Sequence, residues 1–389
     1  MRILIPQASL DDLSQRRPVK ILNIFGRMGR GGAEIRTLEL MRRLDPNVYQ
    51  LDFCVLSGLA GELDAEIQSL GGKVLPCRLG ILFPWRFKKL IKNGEYDIIH
   101  SHVAFFSGLI LGLAKSVGVR GRIAHFRSTL ASTLSFRRKI QNVFMGYMVN
   151  HYATKIIAVG KGVMLRCWGN DWDKDPRKLI IYDGCDHTHF LGMSSSDLRK
   201  KLELTPEHRV VIHVGRFDPP KNHERLIEIF YELFKKEPMA RLVLLGRGGN
   251  EIERRIQTRI TELNLKNRIF IVGEQSNVHE WMAAADLLLF PSLWEGLPGV
   301  VLEACAAGIP VVASDLPGSQ EIASYFPSVY INSLQSSNDQ WANKIHEILN
   351  SPNDRVTIQN QFIGTPFTLE KFLGAHEELW GQWRINEER

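Results

Sequence analysis

Two glutamates eight positions apart, Glu295 and Glu303, stand where a strand-like run hands over to a helix. The run, residues 286–291, is apolar and bounded by turn signals. Leu297-Pro-Gly299 follows as a glycine-bearing loop, residues 300–307 read as a helix, and residues 310–314 as the next strand. Such a strand-loop-helix unit aims main-chain N–H groups at the carboxyl edge of a sheet, a ready place for phosphate. Glu295 at the strand exit and Glu303 about one turn into the helix can then face one ligand. The first would meet its distal part and the second a hydroxyl pair nearer the helix. Arg216 and Lys221, five positions apart on one loop, add the cations that a departing diphosphate needs.

Further candidates sit at other strand ends. Gly31 and Gly32 form a turn after the strand at residues 20–25, where a bare backbone lets a ligand approach closely. The turn is not G-x-G-x-x-G with an acidic residue ending the next strand, which disfavours a dinucleotide site. His125 lies at the carboxyl end of a strand, where α/β folds place ligands. His100 and His102 end another strand with no carboxylate or cysteine in the local pattern, so no metal site is expected there.

The elements that must position these residues alternate strand and helix through both halves of the 389-residue chain. That length suits two domains better than one core. The expected architecture is α/β, two Rossmann-like domains facing across a cleft. The expected boundaries are 1–190, 191–365, and a last segment, 366–389, whose helix returns to the first domain. Residues 1–5 could add a strand. Glu321 is expected as the first-turn carboxylate of the helix opened by Asp315-Leu-Pro-Gly318.

Composition narrows the class. Apolar content of 44% and 23% charged residues are ordinary for a globular protein. Five scattered cysteines without a C-x-x-C pair suit reduced thiols in a cytoplasmic protein. No long apolar leader is visible at the N-terminus, and the apolar run near residues 104–114 is short of the roughly 20 residues that span a bilayer. Residues 1–190 carry 28 Lys and Arg against 16 Asp and Glu, while residues 191–389 carry 21 against 26. A basic half of this kind meets an anionic surface or substrate. No zinc-finger spacing or aromatic RNA-binding signature supports nucleic acid. Residues 82–92 interleave Phe83, Trp85 and Phe87 with Arg86, Lys88, Lys89 and Lys92. This segment is either a membrane-interface cluster or a helix packed on the sheet through Phe87, Leu90 and Ile91.

The flanked pattern E-G-L-P-G-x-x-x-E-A…G-x-P-V-V-A-S strongly resembles the family-4 retaining glycosyltransferases of the GT-B fold. The glycine turn resembles their G-G-A-E segment, and Gly215-Arg216 through Lys221 to Leu226 their G-R…K signature. Residues 179–190 resemble their interdomain linker, with Asp183 where asparagine is usual, a change that suits altered hinge capping. The resemblance covers residue 20 to the last helix. It puts Glu303 on the donor ribose hydroxyls, Glu295 on the donor sugar, and the donor diphosphate on Gly296, Leu297, Pro298, Gly299, Val300 and Val301. It puts Gly31 and Gly32 beneath the donor, His125 against its sugar near the reacting centre, and Arg216 and Lys221 on its phosphates. Transfer of a hexose with retention of configuration is implied, without cofactor or essential metal. UDP is the default donor nucleotide. The acceptor is expected to be a glycan precursor or lipid-linked sugar, as in capsule, exopolysaccharide or lipopolysaccharide assembly. The protein would be cytoplasmic, with contact to an anionic membrane through its basic half. The rival readings are an inactive nucleotide-sugar-binding scaffold, a sugar-nucleotide epimerase or phosphorylase-like enzyme, and a DNA glucosyltransferase.

Overall fold

The computed structural model describes residues 17–129, 135–192, 196–249, 251–352 and 354–384. The strand suggested for residues 1–5 lies outside them. The first half runs β1 (Val19–Phe25), α1 (Gly32–Arg43), β2 (Tyr49–Val55), α2 (Asp64–Ser69), β3 (Val74–Pro76), α3 (Phe83–Gly94), β4 (Ile98–Ser101), α4 (Ser107–Ser116), β5 (Gly121–Phe126), α5 (Phe136–Tyr152), β6 (Lys155–Ala158), α6 (Lys161–Trp168) and β7 (Lys178–Ile180). Its strands pair in parallel in the order β3-β2-β1-β4-β5-β6-β7. Strand β1 shows why such runs become central strands. Ile21, Leu22, Ile24 and Phe25 are all buried, because helices cover both faces of the sheet.

The second half repeats the plan with α7 (Ser196–Lys201), β8 (Arg209–Val214), α8 (His223–Lys236), β9 (Ala240–Leu245), α9 (Glu251–Glu262), β10 (Ile269–Gly273), α10 (Val278–Ala284), β11 (Leu287–Phe290), α11 (Gly299–Ala306), β12 (Val311–Ser314), α12 (Pro317–Ala323), β13 (Val329–Asn332), α13 (Asn338–Leu349) and α14 (Arg355–Ile363). The parallel order is β10-β9-β8-β11-β12-β13. Helix α8 is typical of the covering layer. Leu226, Ile227, Ile229, Phe230 and Leu233 form its buried stripe, and Lys235 and Lys236 sit in its last turn. The final helix, α15 (Leu369–Gly381), returns to the first sheet. Phe372 and Trp380 join the core formed by Leu38, Ile98 and Ile123, and the Tyr49 hydroxyl donates to the Glu377 carbonyl at 3.2 Å.

Three local readings change. Residues 178–180, which overlap the start of the stretch at 179–190 read as linker, pair with β6 as the seventh strand. Three residues are too few to show a period. In residues 82–92 the two alternatives divide: Phe83, Phe87 and Ile91 pack inward, while Trp85 is 64% exposed. Glu321 is not a first-turn acid of α12. It reaches across to the other domain, accepting from the Lys161 amide at 3.0 Å, the Gly162 amide at 3.4 Å and the Tyr182 hydroxyl at 2.7 Å. That carboxylate caps the N-terminus of α6 and pins the two domains together.

Candidate active site

Each sheet reverses its strand order once, between β1 and β4 in the first and between β8 and β11 in the second. Loops leaving these strands splay apart and open crevices at the carboxyl edge. The two crevices face each other. Between them lies a cavity of about 650 Å³, lined from the first domain by Gly29, Arg30, Gly31 and Glu34 and from the second by Arg216 and Arg247. A larger groove, about 850 Å³, lies elsewhere, between α8 and α9. Its arginines and glutamates already pair with each other, as Arg259 does with Glu228 at 2.6 Å.

The strongest sequence candidates come together beside the cavity. Lys221 Nζ lies 2.6 Å from Glu295 Oε1, both side chains about four-fifths buried. The loops carrying them are fixed by backbone. Leu293 N–H donates to the Pro220 carbonyl at 2.8 Å, Asn222 Nδ2 to the Pro291 carbonyl at 3.0 Å, and Ser314 Oγ to the Ser292 carbonyl at 2.6 Å. Lys221 also lies over Gly215, where a Cβ would come within 2.9 Å of its stem. Arg216 is 62% exposed beside Asp218, so its guanidinium remains open to the cleft.

Pro298 precedes α11, and no side chain caps that helix. Its first amides, at Gly299 and Val300, therefore point out as anion donors. Gly296 and the sequence around Gly318 owe their glycines to close packing. A Cβ on Gly296 would sit 2.2 Å from the Arg127 carbonyl oxygen, and one on Gly318 would sit 1.9 Å from that of Gly296. The loop at residues 295–299 is thus clamped between its own domain and the first domain. Leu297 and Val301 point inward and hold the loop from below.

Glu303 is not alone either. Arg36 of α1 reaches it across the cleft, Nη2 to Oε1 at 2.6 Å, with both side chains mostly buried. Burial opposes the charge on Arg36, but Glu303, Cys185, Asp183 and Glu39 outweigh it and hold its pKa above the ordinary value. No sequence signal marked Arg36, because its partner is 267 positions away. Gly31 and Gly32, just before it, open α1; the Glu34 carboxylate folds back over Gly31. Burial raises the pKa of Glu34, partly offset by its backbone hydrogen bond and by Arg127 and Arg216.

His125 is placed differently from its neighbours in the motif list. Its ring is fully buried, Nδ1 lies 3.2 Å from His100 Nε2, and His102 and His376 complete a stack against Trp380. Burial drives His100, His102 and His125 well below the usual histidine pKa, and His376 down to about 3. The stack is therefore neutral. Ligating atoms of His100, His102 and His125 lie within 4.8 Å of one another. Arg127 Nε, however, is 3.2 Å from His102 Nδ1, and His102 Nε2 faces Asn23 Oδ1 at 3.2 Å. A cation would sit beside a fixed guanidinium, on a ring already engaged at both nitrogens. The set does not suit a metal ion.

Arg127, two residues past His125, stands at the seam. It donates to Asp183 Oδ1 at 2.6 Å and to Thr37 Oγ1 at 3.3 Å. Asp183, expected to alter hinge capping, is instead the counter-ion of this arginine, which is only 8% exposed. Thr129 Oγ1 donates to the Glu295 carbonyl at 2.9 Å and ties the same segment to the loop that precedes α11.

Comparison with known proteins identifies the family. The profile of the group 1 glycosyl transferases matches residues 194–362, and that of Glycosyltransferase Family 4 matches residues 30–164. A capsular polysaccharide biosynthesis glycosyltransferase, CapH of Staphylococcus aureus, is 30% identical over 85% of this chain and 91% of its own. A UDP-Gal:alpha-D-GlcNAc-diphosphoundecaprenol alpha-1,3-galactosyltransferase of Escherichia coli is 28% identical over 59% of this chain and 61% of its own. Among solved structures, Anabaena HepE in complex with UDP and glucose superposes with a TM-score of 0.77 at 20% identity, covering 94% of this chain and all of that one.

Proposed function

The chain belongs to the group 1 glycosyltransferases of polysaccharide biosynthesis, with the GT-B fold, and from that premise we propose that it transfers a hexose, with retention, from a UDP-sugar to a lipid-linked saccharide. The observation that carries this reading is the pair of bridges Lys221–Glu295 and Arg36–Glu303, set on either side of the uncapped start of α11.

In this reading the donor ribose hydroxyls donate hydrogen bonds to the Glu303 carboxylate, and Arg36 holds that carboxylate in position. The diphosphate lies on the amides of Gly299 and Val300, with Arg216 and Lys221 neutralising it and Gly31 and Gly32 passing beneath. Glu295, steadied by Lys221, orients the sugar hydroxyls. The bond from the anomeric carbon to the phosphate oxygen breaks as the acceptor oxygen bonds the same face. The acceptor proton passes to the departing phosphate. Charge that builds on that phosphate is met by fixed cations and helix amides, which already point at it. Metal is not needed for that step. His125 acts from behind, keeping the strand end that carries Arg127 rigid.

UDP as the donor nucleotide is supported by the UDP-sugar named for the Escherichia coli relative and the UDP bound to HepE. The same relative acts on a diphospholipid-linked sugar, and the basic first half is suited to such an acceptor at a membrane face. No helix among the described residues is long and apolar enough to cross a membrane. The test is turnover of a panel of UDP-, GDP- and ADP-sugars in EDTA, with the anomeric configuration of the product read by NMR. Retained product from a UDP-sugar supports the proposal. Cleavage only after Mg²⁺ is added, inverted product, or no turnover by the folded protein would each refute it.

A further inference from the structure

Behind the 295–299 loop, main chain from both domains is pressed together. Gly296 has the Arg127 carbonyl against one side and Gly318, at the start of α12, against the other. The start of α12 is squeezed in turn against the start of α6. A Cβ on Gly162 would come within 2.4 Å of Pro317 Cβ, and one on Gly160 within 2.8 Å of Glu321 Oε2. With no room for side chains at these glycines, the loop, α12 and α6 hold one relative position.

Glu321 fastens the stack. Its Oε1 accepts from the Lys161 amide at 3.0 Å and the Tyr182 hydroxyl at 2.7 Å, and its Oε2 from the Gly162 amide at 3.4 Å. An anion suits this place, because helix-start amides and a phenol hydroxyl donate more strongly to a carboxylate than to a neutral group. Tyr182 and Asp183 are neighbours just past β7, on the way to the second domain. Tyr182 turns to Glu321 of the second domain, Asp183 to Arg127 of the first. Arg127 carries the carbonyl that meets Gly296. A circuit of contacts therefore runs from Glu321 through Tyr182, Asp183 and Arg127 to Gly296, and returns through Gly318 to the helix of Glu321. Glu295 sits on this circuit. Its carbonyl accepts from Thr129 Oγ1 of the first domain, and its carboxylate from Lys221 of the second.

We infer that Glu321 is a positioning residue for transfer, latching the two domains in the arrangement that sets Glu295, so that the donor sugar is gripped only when the cleft is shut. The inference rests on the proposed function and adds what couples the grip on the sugar to the seam between domains. Swinging the domains apart about residues 182–183 would withdraw the 127–129 segment from the Glu295 loop and the α6 amides from Glu321 together. The α11 amides and Glu303 are carried by a helix of the second domain and stay with it in either arrangement. Glu321 thus acts through Glu295 and touches no substrate itself.

The test is calorimetric titration of UDP, UDP-glucose, UDP-galactose and UDP-N-acetylglucosamine into the full-length wild type, Glu321→Ala and Glu321→Gln in EDTA, with small-angle scattering of the same samples. The wild type with a UDP-sugar is expected to scatter as the closed cleft of this structure. Glu321→Ala should scatter as an opened cleft and bind the UDP-sugar preferred by the wild type about tenfold more weakly, with UDP affinity within about threefold. Glu321→Gln keeps the shape and one acceptor oxygen and should fall between. Glu295→Ala should show the same sugar-dependent loss, and adding Glu321→Ala to it should cost little more, because the two act as one unit. A residue serving stability alone would lower the thermal midpoint and leave the affinities of the folded protein untouched. Closed scattering with wild-type sugar affinity in Glu321→Ala, equal losses for UDP and UDP-sugar, or full additivity with Glu295→Ala would overturn the inference. Failure of the folded wild type to bind UDP would refute the proposed function separately, and scattering without ligand would still compare the latch in wild type and variant.

Discussion

The two halves of the cleft are built in opposite ways. On the second domain, the loops of the candidate site are held at their main chain: the Pro291 and Ser292 carbonyls accept from the Asn222 and Ser314 side chains, Leu293 N–H donates to the Pro220 carbonyl, and Gly296 and Gly318 are pressed against main chain. On the first domain, side chains do the holding, with Arg127 on Asp183, four stacked histidines, and arginines facing an open cavity. Backbone clamps demand glycine and proline at fixed spacings and leave a readable motif. Side-chain networks can be built in many ways, and so the first domain leaves a fainter mark in the sequence.

That contrast can be broken most severely at its first-domain anchor. Asp183→Ala leaves the Arg127 guanidinium buried without its counter-ion, and should cost about 3–5 kcal/mol of stability in denaturant unfolding. An unchanged midpoint would show that the seam is held by something else. On the donor side, Lys221→Ala should lower kcat about 10²–10³-fold with the thermal midpoint little changed. A loss confined to KM would place Lys221 in ground-state binding only. Glu303→Ala should weaken donor binding about tenfold to a hundredfold in calorimetry, because ribose hydroxyls lose a charged acceptor. The double variant Arg36→Ala/Glu303→Ala should lose less than the sum of the two singles, since the pair acts as one unit.

A pH titration compares one buried histidine from each half. His376 in the first-domain stack is held down to about 3 and His223 beneath Lys221 to about 4, both chiefly by burial. Both folded values lie below the unfolded value near 6.5, so the unfolded chain takes up more protons as pH falls. Stability is complete above about pH 6.5 and declines from there toward the folded pKa values. By pH 5 each histidine should have cost about 2 kcal/mol. His376→Phe should flatten that decline by one histidine's share in an unfolding series across pH.

How much was readable follows from the same physics. Strand-helix alternation and the glycine turns foretold two parallel sheets, because buried parallel strands must be continuous apolar runs. Glu295, Glu303, Arg216 and Lys221 were legible because each sits at a fixed offset from a strand end. Arg36 and Arg127 were not assigned to the donor site, since what gives them a place is a partner far away in the chain. Glu321 was read by local rule as a helix-start acid, and tertiary contact sent it to cap α6 instead. His125 is at the strand end, as expected, but its ring is buried in the histidine stack, while Arg127, just past the end of the strand, takes the seam. Helix α5 went unmarked because its apolar stripe suggests a buried face, and only the structure shows that the stripe points outward.

The central claim is that the uncapped start of α11, with Lys221 and Glu303 beside it, holds a nucleotide sugar. Isothermal titration of UDP-sugars into the wild type and into Glu303→Ala, both in EDTA, tests it most directly. The account predicts metal-free binding of one UDP-sugar by the wild type and at least about tenfold weaker binding by the variant. Equal affinity in both proteins, or no binding by a folded wild type, would contradict it.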